Sequence, residues 1–357
     1  MKFMKLLIVL VLLSFNSEAV AQDPKLIDTA KKEGGKVIIY GSPETPVVDA
    51  VIQAFQKKTG LSADYWRASA MSVMNRAMSE YRAGNALYDV VLNNTDPLYI
   101  MAKEGMVAKY DSPTAKKYPN DQIDPYLGPI SRLGIVGIVY NKNLVRPENV
   151  PRFLEDLVQP KYRGMLVMAD PTLHVTTIQW LSSLHKLMGK EKAEKFIVEL
   201  AAMKPILVES MLPAGERVTT GEMPIAITFV KYVFTNGRQG APLDYVRLER
   251  MLGDCHFAVL NNKAPHPNTG KAFLDYYLDD ESMKILAQNG EFVNRKGIYP
   301  PLRVQTESST CRWKISMRRL LKKRKRNTAE FFSGKAYTLC QGSRLSLFLR
   351  VFLRYLD

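Results

Sequence analysis

Cysteine is scarce in this 357-residue chain, which has only Cys255, Cys311 and Cys340. No two of them have the spacing of a zinc ligand set, so a zinc-built domain is excluded. Only Cys255 falls in the part of the chain with a globular pattern. No disulfide can then form inside the core, and Cys255 reads as a small buried apolar side chain. Long apolar runs are also missing. No stretch reaches the 18 residues of a membrane-spanning helix, and the first one, Leu6–Leu13, is too short for a bilayer of about 30 Å. The usual signatures of chemistry are absent too. The order Ser-His-Asp, a Gly-x-Ser-x-Gly elbow and a well-placed carboxylate pair are not found, which speaks against a hydrolase. The Gly-x-x-x-x-Gly-Lys-Ser/Thr phosphate loop is missing, so the chain is not an ATPase.

Positive charge is abundant but uneven. The formal net charge is +15, yet residues 303–357 alone hold 14 Lys/Arg against 3 Asp/Glu. The body of the chain is therefore near neutral. The high isoelectric point belongs mostly to the end, and nucleic acid is not an expected partner of the folded part. Hydrophobic residues make up 46% of the chain, enough for true cores, and the length suits two compact domains.

The N-terminus reads as an export signal over residues 1–21. Lys2 and Lys5 precede the apolar run, and Ala19-Val20-Ala21 gives small residues at the cleavage positions, leaving Gln22 first in the mature chain. A lipid anchor would need cysteine where Gln22 stands.

The rest alternates in a regular rhythm. Leu26–Lys32 predicts a helix closed by Gly34-Gly35. Val37–Tyr40 predicts a buried strand, Val47–Thr59 a helix stopped by Gly60, Leu61–Trp66 a strand, and Met71–Ala83 a helix ended by Gly84. Asp89–Leu92 predicts a strand, followed by a polar loop at Asn93–Asp96 and a helix over Ile100–Glu104. This is the βαβ pattern of a parallel sheet with helices on its faces, whose ligand loops lie past the C-terminal ends of strands. A second α/β unit follows. Strands are expected at Leu133–Tyr140, Met165–Met168, Ile206–Glu209, Ile225–Thr228 and Leu243–Leu248. Helices are expected at Val150–Val158, Thr176–Met188 and Lys190–Ala202, with a helical turn at Arg217–Thr220. Late helices are expected at Thr269–Leu278 and Ser282–Asn289.

Several short motifs then occur in a telling order. Lys36–Tyr40 runs into Gly41-Ser42-Pro43, and Leu133–Val145 reads LGIVGIVYNKNLV. Leu154-Glu155-Asp156-Leu157, Pro160-Lys161-Tyr162-Arg163-Gly164 and Ala169-Asp170-Pro171 come next. Gly240–Val246, Asn289–Phe292 and Gly297–Pro300 close the series. Over residues 28–302 this order resembles the type II periplasmic solute-binding proteins of ABC importers, in the branch of iron(III), phosphate-ester and phosphonate receptors. The resemblance implies an α/β fold of two lobes joined by hinge strands. The first lobe is expected from 28–130 plus 243–302, and the second from 131–242. It implies a periplasmic receptor, not an enzyme, monomeric and without cofactor. Such a receptor captures a small solute and delivers it to a permease served by a separate ATPase chain. Residues 303–357 do not fit that pattern. They read as an aberrant or disordered basic tail, as a shifted reading frame would produce.

The same resemblance places Ser42, Ser69, Asp96, Thr172 and Thr176 at the cleft. Hydroxyls at helix starts suit a phosphate ester or phosphonate, because free N–H groups and the helix dipole both attract anions. Ser69 and Ser72 precede one helix, Thr172, Thr176 and Thr177 precede another, and Arg67 and Lys231 are candidate cations. Iron(III) is the alternative. Its receptors in this branch carry paired tyrosines after the strand at Ile225–Thr228, whereas here Tyr232 stands alone, with Glu44 as its possible partner ligand. Plainer readings stand beside these. Ser69, Thr172 and Asp96 can be helix caps. His174 can face solvent, Lys231 can be solvated, Tyr232 can be a core or rim aromatic, and Glu216 can be surface charge. Two other roles remain. One is a transferase of the porphobilinogen deaminase type, which shares this architecture and would use Cys255. The other is a receptor that presents its ligand to a sensor kinase.

Overall fold

A computed structural model describes residues 23–302. The expected export signal and basic tail lie outside these residues. The first half runs α1 (Pro24–Lys32), β1 (Lys36–Gly41), α2 (Thr45–Thr59), β2 (Ser62–Arg67), α3 (Ala70–Arg82), β3 (Val90–Asn94) and α4 (Thr95–Lys103). The cause is local. In β1, Val37 and Ile39 pack with Val48, Val51, Ile52 and Phe55 of α2. Tyr40 belongs instead with Val73, Met74 and Ala77 of α3, so the strand feeds helices on both faces of the sheet. Gly60 ends α2 in the left-handed region at φ 70°.

A short hairpin of β4 (Ile123–Asp124) and β5 (Gly128–Pro129) leads into β6 (Arg132–Asn141). Then come β7 (Leu166–Ala169), α5 (Val175–Met188), α6 (Lys190–Ala202), β8 (Ile206–Val208), α7 (Met211–Thr219), β9 (Ile225–Phe229) and α8 (Tyr232–Thr235). The chain closes with β10 (Leu243–Tyr245), β11 (Leu252–Leu260), α9 (Pro267–Tyr277), α10 (Asp280–Gln288) and β12 (Phe292–Val293).

The main sheet runs in the order β2-β1-β3-β11-β6-β9-β7-β8, with β10 and β12 also paired to β6. Pairing is parallel at both ends, β1 with β2 and β3, and β7 with β8 and β9. It is antiparallel in the middle. There β11 joins β3 through His256–Leu260 and β6 through Leu252–His256, and β6 joins β9 through Val136–Tyr140. Two strands, β6 and β11, thus tie two α/β units together, which is the two-lobed architecture with hinge strands.

The elements differ from the sequence reading in four places. The expected loop at Asn93–Asp96 is not a loop: both asparagines finish β3, and Asp96 sits in the first turn of α4, where the helix dipole favours an acid and tolerates Pro97. The turn at Arg217–Thr220 is the end of a longer helix, α7. The helix at Val150–Val158 is replaced by 3₁₀ turns at Pro147–Asn149 and Leu154–Val158. The strand expected at Leu243–Leu248 is shorter and does not join the two units. There β10 pairs with the far end of β6, and β11, which the sequence reading did not contain, pairs with both units.

Candidate functional site

Residues from both lobes and both hinge strands meet around Lys231, just past the end of β9. Lys231 is 5% exposed, which corrects the solvated side chain expected of it. Its ammonium lies 2.5 Å from Glu44 Oε2 and 2.7 Å from Glu291 Oε1. The rings of Tyr232 and Phe229 lie 5.5 and 5.8 Å from it, within cation–π range. The Tyr232 hydroxyl donates to Glu44 Oε1 at 2.9 Å. Glu44 reaches this point because it occupies the N-cap of α2 without capping it.

From Glu291 a chain of contacts crosses the hinge. Arg132 Nη1 donates to Glu291 at 2.7 Å, and Arg132 Nη2 lies 3.1 Å from His256 Nδ1. A guanidinium only donates, so Nδ1 must accept and the neutral ring carries its proton on Nε2. That nitrogen is 3.6 Å from Asp254 Oδ2. The same oxygen accepts the Thr176 hydroxyl at 2.6 Å and is held by the Asn94 amide. Asn94 also donates to Thr176 at 3.2 Å and accepts from Ser42 at 3.4 Å. Asp254 and His256 alternate along β11 and so share one face. Cys255, between them, points to the other face of β11 and packs against the core shared by α3 and β3.

Burial and charge compete here. Burial pushes the Glu44 carboxyl up, but Lys231 and Arg132 outweigh it and hold the group at about 2. Glu291 is lowered in the same way: burial opposes, and Arg132 and Lys231 win. Burial raises the Tyr232 hydroxyl well above its ordinary value, and Glu44 adds to that. Burial lowers His256, and Arg132 reinforces the shift. His174, at the start of α5, is lowered to about 4 by burial, with Asp254 opposing and His256 and Arg67 adding.

Two helix starts adjoin this network. Ser69 caps α3, accepting from the Ser72 amide at 3.2 Å, and the two hydroxyls are 2.8 Å apart. Across from it α5 begins at His174 with no side chain capping its first turn, so its leading N–H groups remain available. Asn93 donates to the Ala70 carbonyl at 2.9 Å while Asn94 holds Thr176. The end of β3 thus ties the start of α3 to the start of α5. Asp96 makes a second bridge, accepting from Gln179 of α5 at 2.8 Å.

Of the residues singled out from sequence, Ser42, Glu44, Thr176 and Tyr232 lie in one network, and Asp96 bridges to α5 beside it. Ser69 and Ser72 form the start of α3. Thr172, two residues before the N-cap of α5, is exposed and hydrogen-bonded to Asp170, with its hydroxyl and amide both 2.7 Å from Oδ1. Glu216 is exposed on α7. Asn94 belongs to the polar stretch Asn93–Asp96 read as lying past a strand end, whereas Arg132, Asp254, His256 and Glu291 carry no such mark in the sequence reading. The signal available for two of them was a polar i, i+2 pair, Asp254 and His256, inside the apolar segment Leu252–Leu260.

Close packing holds the Tyr232 ring in place. A Cβ on Gly215 of α7 would lie 2.6 Å from its Cδ2. Gly215→Ala is expected to destabilise the fold by about 1–3 kcal/mol through overpacking. Urea unfolding checks this, and a variant as stable as the parent would show that the ring does not rest against α7.

Residues 36–290 match the family of bacterial extracellular solute-binding proteins, and the chain belongs to that family. Iron-bound HitA from Pseudomonas aeruginosa superposes with a TM-score of 0.67 at 20% identity, covering 80% of this chain and 99% of that one. AfuA from Actinobacillus pleuropneumoniae, solved with fructose-6-phosphate, gives 0.69 at 20% identity over 76% of this chain and 89% of that one. At such identities the likeness carries the fold, the type II two-lobed form. An uncharacterized protein of Haemophilus influenzae is 23% identical over 271 residues, 72% of this chain and 77% of its own length. The spermidine/putrescine-binding periplasmic protein of Escherichia coli is 24% identical over 218 residues, 56% of this chain and 60% of its own length. The chain is thus a solute-binding component of the ABC-importer type. Among the described residues no helix is long and apolar enough to cross a membrane.

Proposed function

We propose that this protein captures a small phosphate ester or phosphonate between its lobes, in the periplasm, and delivers it to an ABC permease energised by a separate ATPase. One observation carries the reading. The starts of α3 and α5 are held together by adjacent Asn93 and Asn94, and Arg67 and the neutral His174 lie beside them. Helix starts with free N–H groups favour an anion, and a nearby guanidinium strengthens that preference. The fold shared with AfuA, which holds a sugar phosphate, agrees with it.

Iron(III) has less support. Glu44 and Tyr232 do meet, but Lys231 already occupies Glu44, and the Tyr232 hydroxyl is shifted away from phenolate. Among the described residues no three His, Cys, Asp or Glu side chains converge as a metal site.

The test is a thermal-shift panel on the full chain with fructose-6-phosphate, ethylphosphonate, 2-aminoethylphosphonate, spermidine and iron(III) citrate. A ligand at about 100 times its Kd adds about 2.7 kcal/mol of stability. A rise with a phosphate or phosphonate is expected. A rise with spermidine or iron(III) citrate alone would overturn the reading.

A further inference from the structure

We infer that the solute also carries a protonated amine, seated on Asp254, so that the ligand is a short zwitterion with a phosphate or phosphonate at its other end. The inference rests on the phosphate or phosphonate reading and narrows it.

Asp254 is 2% exposed. Its Oδ2 takes the Thr176 hydroxyl and the Asn94 amide, but its Oδ1, equally buried, has no hydrogen-bond donor. A buried carboxylate oxygen left unsatisfied is costly, and more so than a neutral acceptor. The two cations of the buried network are engaged with other partners. Lys231 lies between Glu44 and Glu291, and Arg132 lies between Glu291 and His256. His256 cannot supply a charge, because it is neutral and its one proton already faces Oδ2. Lys231 and Arg132 thus serve Glu44, Glu291 and His256, and neither donates to Asp254 Oδ1.

The position of Asp254 matters as much as its charge. It stands where β11 crosses between the lobes, bonded to Thr176 of α5 and Asn94 at the end of β3. A solute held at the helix starts lies next to it. A solute with no donor there leaves Oδ1 unsatisfied, whereas an ammonium on the same solute supplies the missing hydrogen bond. Asp254 is then a specificity-determining residue, admitting amine-bearing anions and disfavouring those without an amine.

Titration calorimetry of the full chain with 2-aminoethylphosphonate and ethylphosphonate tests this without any variant. The amine-bearing probe is expected to bind at least about tenfold tighter, the range for a hydrogen bond to a charged group. Asp254→Asn should bring the two affinities together. Equal affinities in the parent chain would overturn the inference and leave the phosphonate reading in place. Failure of both probes, and of fructose-6-phosphate, would overturn that reading and this inference with it.

Discussion

Replacing Lys231 with methionine is expected to destabilise the fold by about 3–5 kcal/mol, because breaking a buried ion pair strands its partner. The substitution keeps most of the apolar stem and removes only the ammonium. Glu291 stays 1% exposed with one fewer cation, and Glu44 loses its shortest contact. Arg132 still pairs with one Glu291 oxygen, so the loss should stop short of unfolding the chain. The double variant Lys231→Met/Glu44→Gln should recover part of the loss, since it removes a stranded charge. Urea unfolding of the three proteins reads this directly. A Lys231→Met chain within about 0.5 kcal/mol of the parent, the range of ordinary surface substitutions, would show that the lysine is not buried in this pair.

Acid should undo the same cluster. The Glu44 carboxyl has an ordinary value of 4.5 and is held at about 2 in the fold. A carboxyl lowered by folding contributes stability that is fully present above its unfolded value. That stability is lost as pH falls through the folded value, because the unfolded chain takes up the proton first. The window is therefore pH 4.5 down to about 2. At 1.36 kcal/mol per unit, Glu44 accounts for about 3 kcal/mol there. Glu291, lowered by the same cations, acts in the same direction. Unfolding midpoints at pH 7, 4.5 and 3 should drop mainly across the last interval, and Lys231→Met should flatten that drop. An equal drop in the variant would place the acid sensitivity outside this cluster.

The fold was legible where residues alternate cleanly. Val37–Tyr40, with Gly41 after it, and Val47–Thr59 before Gly60 gave the first strand–helix pair to within two residues, since period and stop signal agree there. Legibility failed at β11. The first half of Leu252–Leu260 holds Gly253, Asp254, Cys255 and His256, residues that weaken a strand pattern, because this strand carries Asp254 and His256 into the buried polar network. The site followed the same logic. Helix starts at Ser69 and Thr176 are local features and could be read from neighbours in sequence. The partners of Lys231 could not: Glu44 and Glu291 lie 187 and 60 residues away, and a lone lysine in sequence defaults to the surface. The local turn at Thr172, by contrast, follows from Asp170 two residues earlier, which takes its amide and hydroxyl.

In the proposed function the starts of α3 and α5 hold the anionic end of the solute. Isothermal titration of the phosphate or phosphonate giving the largest thermal shift, into the parent chain and into Ser69→Ala and Arg67→Ala, tests it most directly. Each substitution is expected to weaken binding about tenfold or more, as loss of a hydrogen bond or charge contact to an anion does, while the unliganded unfolding curves move little for the exposed Arg67. Affinities unchanged in both variants would contradict the account and place the solute elsewhere in the cleft.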